Sequence, residues 1–212
     1  MLRHPRQRQR GVSLVELMLG LAILAILLFM GVPAFTDTLQ NYQIRTAAES
    51  TVNGLQFARN EALRRNMSVR FQLVNSLDAN CDLSPTGPSW IVSRNDPTAA
   101  CDSATVIDFL EPNDLSQPQV LQSRASQEGT PNAVFSATAS GAGATTVTFT
   151  SLGRVAPGSI DTINISNAVG GACQHLDASG RMRCLRILVG RGGQVKMCDP
   201  GVTDTADPRA CL

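Results

Sequence analysis

Two histidines, His4 and His175, are the only imidazoles in the 212 residues. A Ser–His–Asp arrangement or a hydrolytic metal centre would have to be built on one of them. No G-x-S-x-G elbow, H-E-x-x-H pair or glycine-rich phosphate loop accompanies either. His175 follows a glycine pair and lies between Cys173 and Cys184, the setting of a solvated loop residue. Glu111 and Asp114 share a proline-containing loop, where a solvated charge run is the ordinary expectation. The one zinc arrangement on offer, Cys173, His175 and Cys184, lacks the C-x-x-C pair usual in structural sites. The residues therefore predict no enzyme, no cofactor and no resident metal.

The residue that demands an explanation is Glu16. It is the only charge within residues 12–32, a run matching the ~20 residues that a bilayer-crossing helix needs. An intramembrane acid is costly and normally marks a functional partner. Before the run stands a leader with Arg3, Arg6, Arg8 and Arg10 and no acid. Such a leader stays cytoplasmic and sends the chain after Pro33 outward. A secretory signal would end the run on a small-residue cleavage site, which Val32-Pro33-Ala34 meets only weakly. A plain anchor gives Glu16 no use.

The leader, Gly11 and "VSLVELMLGLAILAIL" together resemble a type IV prepilin, with glycine before the cut and glutamate fifth after it. The resemblance implies cleavage after Gly11 by prepilin peptidase on the cytoplasmic face, then N-methylation of Val12. Cleavage would expose an amine at Val12, four residues before Glu16. Helices packed side by side with an axial stagger could set Glu16 of one subunit on the amine of the next. That pair offsets the desolvation of both charges only in the right register, so it can specify register.

The elements that would carry this site follow from periodicity. Gly31 and Pro33 interrupt the apolar run, and the proline is expected to bend the helix. Beyond it Ile44, Ala48, Val52, Leu55, Ala58 and Ala62 recur at intervals of three or four, one face of a helix ending near Asn66. Glu61 and Arg65 are placed as an outer i,i+4 pair. Alternation then turns to strands at Val69, Phe71 and Leu73, at Val147 and Phe149, and less regularly at Ile160, Ile163 and Ile165. "CLRILVGRGGQVKMC" reads as a β-hairpin around a glycine-rich loop. Residues 80–88, 95–103, 112–118 and 127–131 are rich in turn formers and are expected as surface loops.

Charge is uneven. Without the first eleven residues the formal balance is −3, yet Arg181, Arg183, Arg186, Arg191 and Lys196 fall within sixteen acid-free residues. Such a segment could neutralise phosphates on double-stranded DNA; lacking aromatic residues, it would do so without sequence preference. A solvated basic hairpin, or contact with a neighbouring acidic subunit, are the competing readings. Six cysteines, all beyond the apolar run, suggest disulfides in an exported domain. Short loops favour Cys81–Cys101, Cys173–Cys184 and Cys198–Cys211 among the fifteen pairings that six cysteines allow.

"AAESTVNGLQFARNEALRRNMSVRFQL" resembles the GspH/FimT group of minor pilins and pseudopilins, and "TVTFTSLGRV" resembles that group's strand and turn. Some members bind DNA through a C-terminal G-R-x-R motif, which Gly180-Arg181-Met182-Arg183 spells; a second alignment puts Gly193-Gln194-Val195-Lys196 in its place. The resemblance implies a type IV pilin-like α+β fold, a long N-terminal helix packed on an antiparallel β-sheet domain in one sheet or two. The expected layout is a leader at 1–11, a transmembrane or filament-core helix at 12–33, an amphipathic helix at 34–66 and a periplasmic β-rich domain at 67–212. Its implied partners are other minor and major pilins or pseudopilins, prepilin peptidase and the inner membrane. The implied role is pilus assembly at the tip, with type II secretion and DNA uptake as alternatives.

Overall fold

The computed structural model describes residues 11–103 and 118–211, without the side chains of residues 30–34. The leader and the loop expected at 112–118 therefore lie wholly or almost wholly outside the described residues. The chain divides into two units, Met1–Thr38 and Leu39–Leu212, and one helix, α1 (Leu14–Arg65), runs through both.

In the first unit the described side chains from Val12 to Phe29 are exposed and nearly all apolar. Among the described residues no helix is long and apolar enough to cross a membrane. The bend expected at Pro33 falls on the residues whose side chains are not described.

The second unit is built on the other half of α1. Ile44, Ala48, Leu55, Ala58 and Ala62 are buried and Val52 half-buried, the stripe that the spacing predicts. Gly54 lets an aromatic pair lie against the helix: a Cβ there would come within 2.9 Å of the Phe71 ring and 3.0 Å of Trp90. The two rings sit 5.5 Å apart, and the Trp90 indole N–H donates to the Ser50 hydroxyl at 3.2 Å. The helix ends in a Schellman turn. Asn66 takes φ 52°, its N–H reaches the Leu63 carbonyl, and the Met67 N–H reaches that of Ala62.

Among the described residues nine strands follow: β1 Val69–Val74, β2 Ser89–Ser93, β3 Val120–Arg124, β4 Ala133–Ala139, β5 Ala142–Gly143, β6 Thr146–Phe149, β7 Thr162–Asn167, β8 Leu185–Val189 and β9 Val195–Cys198. They form two antiparallel sheets, in the orders β3-β2-β1-β6 and β5-β4-β7-β8-β9. The predicted hairpin is β8–β9, with Ile187 opposite Met197 and Val189 opposite Val195. One core joins helix and sheets through Phe71, Phe149, Ile163, Ile165 and Ile187. At their inner end α1 and the second sheet are tied by amides. The buried Asn167 side chain donates to the Gln40 side-chain oxygen Oε1 at 2.6 Å and accepts from the Val169 and Gly170 N–H groups.

The segments expected as plain surface loops at 80–88 and 95–103 do more. With residues 75–79 they close over the outer face of the first sheet, where Val74, Ile91 and Val120 form a second small core with Cys81 and Cys101. This second cover is why Gln72, on the same strand as the inward Phe71, is also buried, its side-chain oxygen accepting from Ser93 at 2.7 Å. All three disulfides are those the short loops favour: Cys81–Cys101, Cys173–Cys184 and Cys198–Cys211, with sequence separations of 20, 11 and 13. Each closes a loop worth roughly 3 kcal/mol of unfolded-state entropy. The Cys173 and Cys184 sulfurs are thus bonded to each other rather than held for zinc.

Candidate functional site

The N-terminal site begins in extended chain. Gly11 and Val12 are exposed, with no helical bonding. Ser13 caps the helix: its hydroxyl accepts from the Glu16 N–H at 3.1 Å and its carbonyl from the Leu17 N–H at 3.1 Å. Glu16 stands in the first turn, where a carboxylate also complements the helix dipole. Ser13-x-x-Glu16 is a capping-box spacing, a signal present in the sequence but overshadowed by the apolar run. The peptide after Gly11 is thus presented on open chain, with a helix starting two residues later. Glu16 is exposed, with its side chain available to another molecule.

The basic segment does not form one patch. Arg183 pairs with Asp199 at 3.0 Å, Arg186 donates to Asn164 at 2.7 Å, and Lys196 donates to the Ala210 carbonyl at 2.9 Å. Arg186 is half-buried, because Asn164 on neighbouring β7 gathers it across the strand pair. Arg181 and Arg183 precede β8 and Arg191 follows it. Eight residues of extended chain put roughly 25 Å between the last two. Beside Arg183 is a cleft of about 300 Å³ lined by Arg45, Leu185, Met197, Asp199 and Arg209. Its cations are matched by acids, Arg45 with Glu49 and Arg209 with Asp207.

Arg191 instead joins a junction that the spacing does not reveal. The Arg59 guanidinium on α1 donates to the Gly153 carbonyl at 3.2 Å, across 94 residues of sequence. Gly153, in the turn after β6, lies against Gly193 in the β8–β9 loop, and the Val155 N–H donates to the Arg191 carbonyl at 3.0 Å. Two residues further along α1, Glu61 is buried and holds Arg64 at 2.7 Å and Arg65 at 2.6 Å. The pair expected on the outer face is therefore largely inside, since the Arg65 side chain is only 9% exposed. So "ARNEA" is not merely a polar helix surface: it fastens the helix to the turn "LGR".

Hydrogen bonds from Arg64, ahead of opposing burial and the bond from Arg65, hold the Glu61 carboxyl below its ordinary value of 4.5. A depressed folded-state value stabilises the fold at neutral pH, and the contribution is lost as pH falls below 4.5 through the lowered value. Thermal unfolding followed from pH 7 to pH 3 should therefore show a smaller acid loss in Glu61→Gln than in the wild type. Equal slopes would remove Glu61 from the acid response.

Comparison with known families agrees with this anatomy. Residues 6–32 match the model of the prokaryotic N-terminal methylation motif. Residues 47–193, more than half of the chain, match the model of the type II transport protein GspH. The chain belongs to the GspH family. Both stretches joined at the Arg59–Gly153 contact lie inside the GspH match, as does the glycine loop up to Gly193. Two crystal structures of the type IV minor pilin FimU of Pseudomonas aeruginosa (strain PAO1) are similar to this GspH-family chain. The P21 form has a TM-score of 0.44 and 16% identity, over 74% of this chain and 88% of that one. The P65 form has a TM-score of 0.41 and 15% identity, over 72% and 90%. No match is found among the curated proteins.

Proposed function

We propose that this GspH-family chain is a minor pilin: an inner-membrane precursor cut after Gly11, methylated at Val12 and built into a type IV pilus at or near its tip. The observation that carries the reading is the order of the two matches in one chain, a methylation motif at 6–32 followed by a GspH domain at 47–193. The first supplies an anchor and a processing point, and the second supplies a folded head. In this reading prepilin peptidase acts on the cytoplasmic side, and the domain after the membrane helix is periplasmic until assembly. Three disulfides suit that oxidising compartment. Glu16, exposed in the first helical turn, pairs with the Val12 amine of an adjacent pilin.

A second reading, a pseudopilin of type II secretion, draws support from the family description, which is that of a type II transport protein. Deletion separates the two. Loss of this chain should reduce sheared surface filaments at least about tenfold while secreted enzymes still reach the medium. The reverse pattern, intact pili with enzymes held in the periplasm, would replace the pilus by the pseudopilus. The scattered placement of Arg181, Arg183, Arg186, Arg191 and Lys196 adds no support to DNA uptake.

A further inference from the structure

The fastening of helix to turn builds a surface at the C-terminal end of α1. Gly153 and Gly193 touch backbone to backbone, and Arg59 locks the turn from below, so the two loops form a rigid platform. Two apolar side chains stand out on it: Leu63 is 47% exposed and Leu152 74% exposed. Leu63 also borders Gly153, with its side chain 3.2 Å from where a Cβ would be. The exposed Arg154 follows Leu152 in the same turn, and the exposed Arg191 is joined to that turn through the Val155–Arg191 backbone bond, on the side of a cleft that also holds Asp161. Elsewhere Arg45, Arg64, Arg183 and Arg209 are each laid on a carboxylate. Among the described residues no carboxylate is paired with Arg154 or Arg191. Cations left uncompensated beside exposed leucines, on a platform already ordered, suit an acidic partner, because little ordering cost remains to be met on this side.

The same chain presents the complementary surface. The disulfide-closed lobe over the first sheet exposes Asp78, Asp82, Asp96 and Asp102, and among the described residues none of these forms an ion pair with Arg or Lys. We propose that the platform of Leu63, Leu152, Arg154 and Arg191 receives the acidic lobe, residues 75–88 and 95–103, of a second copy of this chain. Basic platform and acidic lobe are different surfaces, so the contact is heterologous and leaves one copy its lobe and the other its platform free. It brings unlike charges together and covers the two leucines. It goes beyond the assembly reading and requires neither processing at Gly11 nor any particular filament.

The test uses the full-length chain in detergent, with association measured by sedimentation over a concentration series. Wild type should associate at about 50 mM salt and weaken about tenfold or more at about 500 mM, as screening shortens the reach of the charges. Arg154→Glu with Arg191→Glu should be monomeric, and so should Asp82→Arg with Asp96→Arg, each keeping the wild-type thermal unfolding. An equimolar mixture of the two variants should associate, because the reversed platform then meets the reversed lobe. A monomeric wild type, association indifferent to these reversals, or a mixture that stays monomeric would overturn the proposal. So would a monomer whose Arg154 and Arg191 serve only to retain a mixed-sequence duplex. None of these outcomes bears on whether the chain is cut at Gly11.

Discussion

Glu16→Val is expected to leave the protein inserted and cut, yet to lower its recovery in the filament fraction by about a hundredfold. Insertion should not suffer, because replacing an acid by valine makes the apolar run easier to place in a bilayer. The helix start should suffer only slightly. Ser13 still caps it, and the lost dipole interaction is worth roughly 0.3–1 kcal/mol. The large term is the pair. Removing one partner of a desolvated ion pair costs about 3–5 kcal/mol, since the other charge stays buried without compensation. Glu16→Gln separates the two effects: it preserves the Ser13-x-x-Gln capping spacing but not the charge. Fractionation of membranes and sheared filaments should show both variants cut and both missing from filaments. If Glu16→Gln is incorporated as wild type, the capping spacing accounts for Glu16 and the pairing argument is wrong.

Gly193→Val should strongly destabilise the second unit. Gly193 takes φ 84°, a region costing an L residue about 1–2 kcal/mol. A Cβ there would also overlap the Gly153 carbonyl oxygen and lie 2.8 Å from the Arg59 Nε. Neither is a soft neighbour, because one is backbone and the other is fixed by its bond to that same carbonyl. Overpacking adds about 1–3 kcal/mol. A total of roughly 3 kcal/mol should lower the unfolding midpoint by about 10 °C. Gly129→Ala is the matched control: φ 93° with nothing within 4 Å, so it bears the backbone strain alone. Calorimetry that finds the two variants equally stable would mean the Gly153–Gly193 contact carries no weight. The same variant tests the platform, which should lose self-association while the Glu16-dependent step survives.

How far the sequence foretells this molecule depends on the range of each signal. The buried stripe from Ile44 to Ala62, the β8–β9 hairpin and the three short-loop disulfides are local patterns, and the structure has them where they were expected. Strand β2 is hidden because its five residues are all buried, so no alternation marks it. Strand β4 is hidden because its inward Ala133 and Ala137 are too small to stand out beside Phe135. The lobe at 75–88 and 95–103 has the composition of loops, and only its disulfide and the apolar Val74 and Ile91 beneath it give it a core. The Arg59–Gly153 contact spans 94 residues and leaves no periodic trace, although both ends lie in stretches that carry the family resemblance. The basic segment shows the opposite failure. Five cations close in sequence are dispersed by a strand, and Arg183, Arg186 and Lys196 are turned to internal bonds.

The central claim is that this chain is a processed assembly subunit, and its N-terminus is where that claim is most exposed. Intact-mass and N-terminal peptide spectrometry of the protein isolated from its native envelope reads it directly. The expected mature chain begins at Val12 and carries one added methyl on the α-amine, with the three disulfides intact. A chain that keeps Met1 and its arginines, or one that begins beyond the apolar run at Phe35, would contradict it.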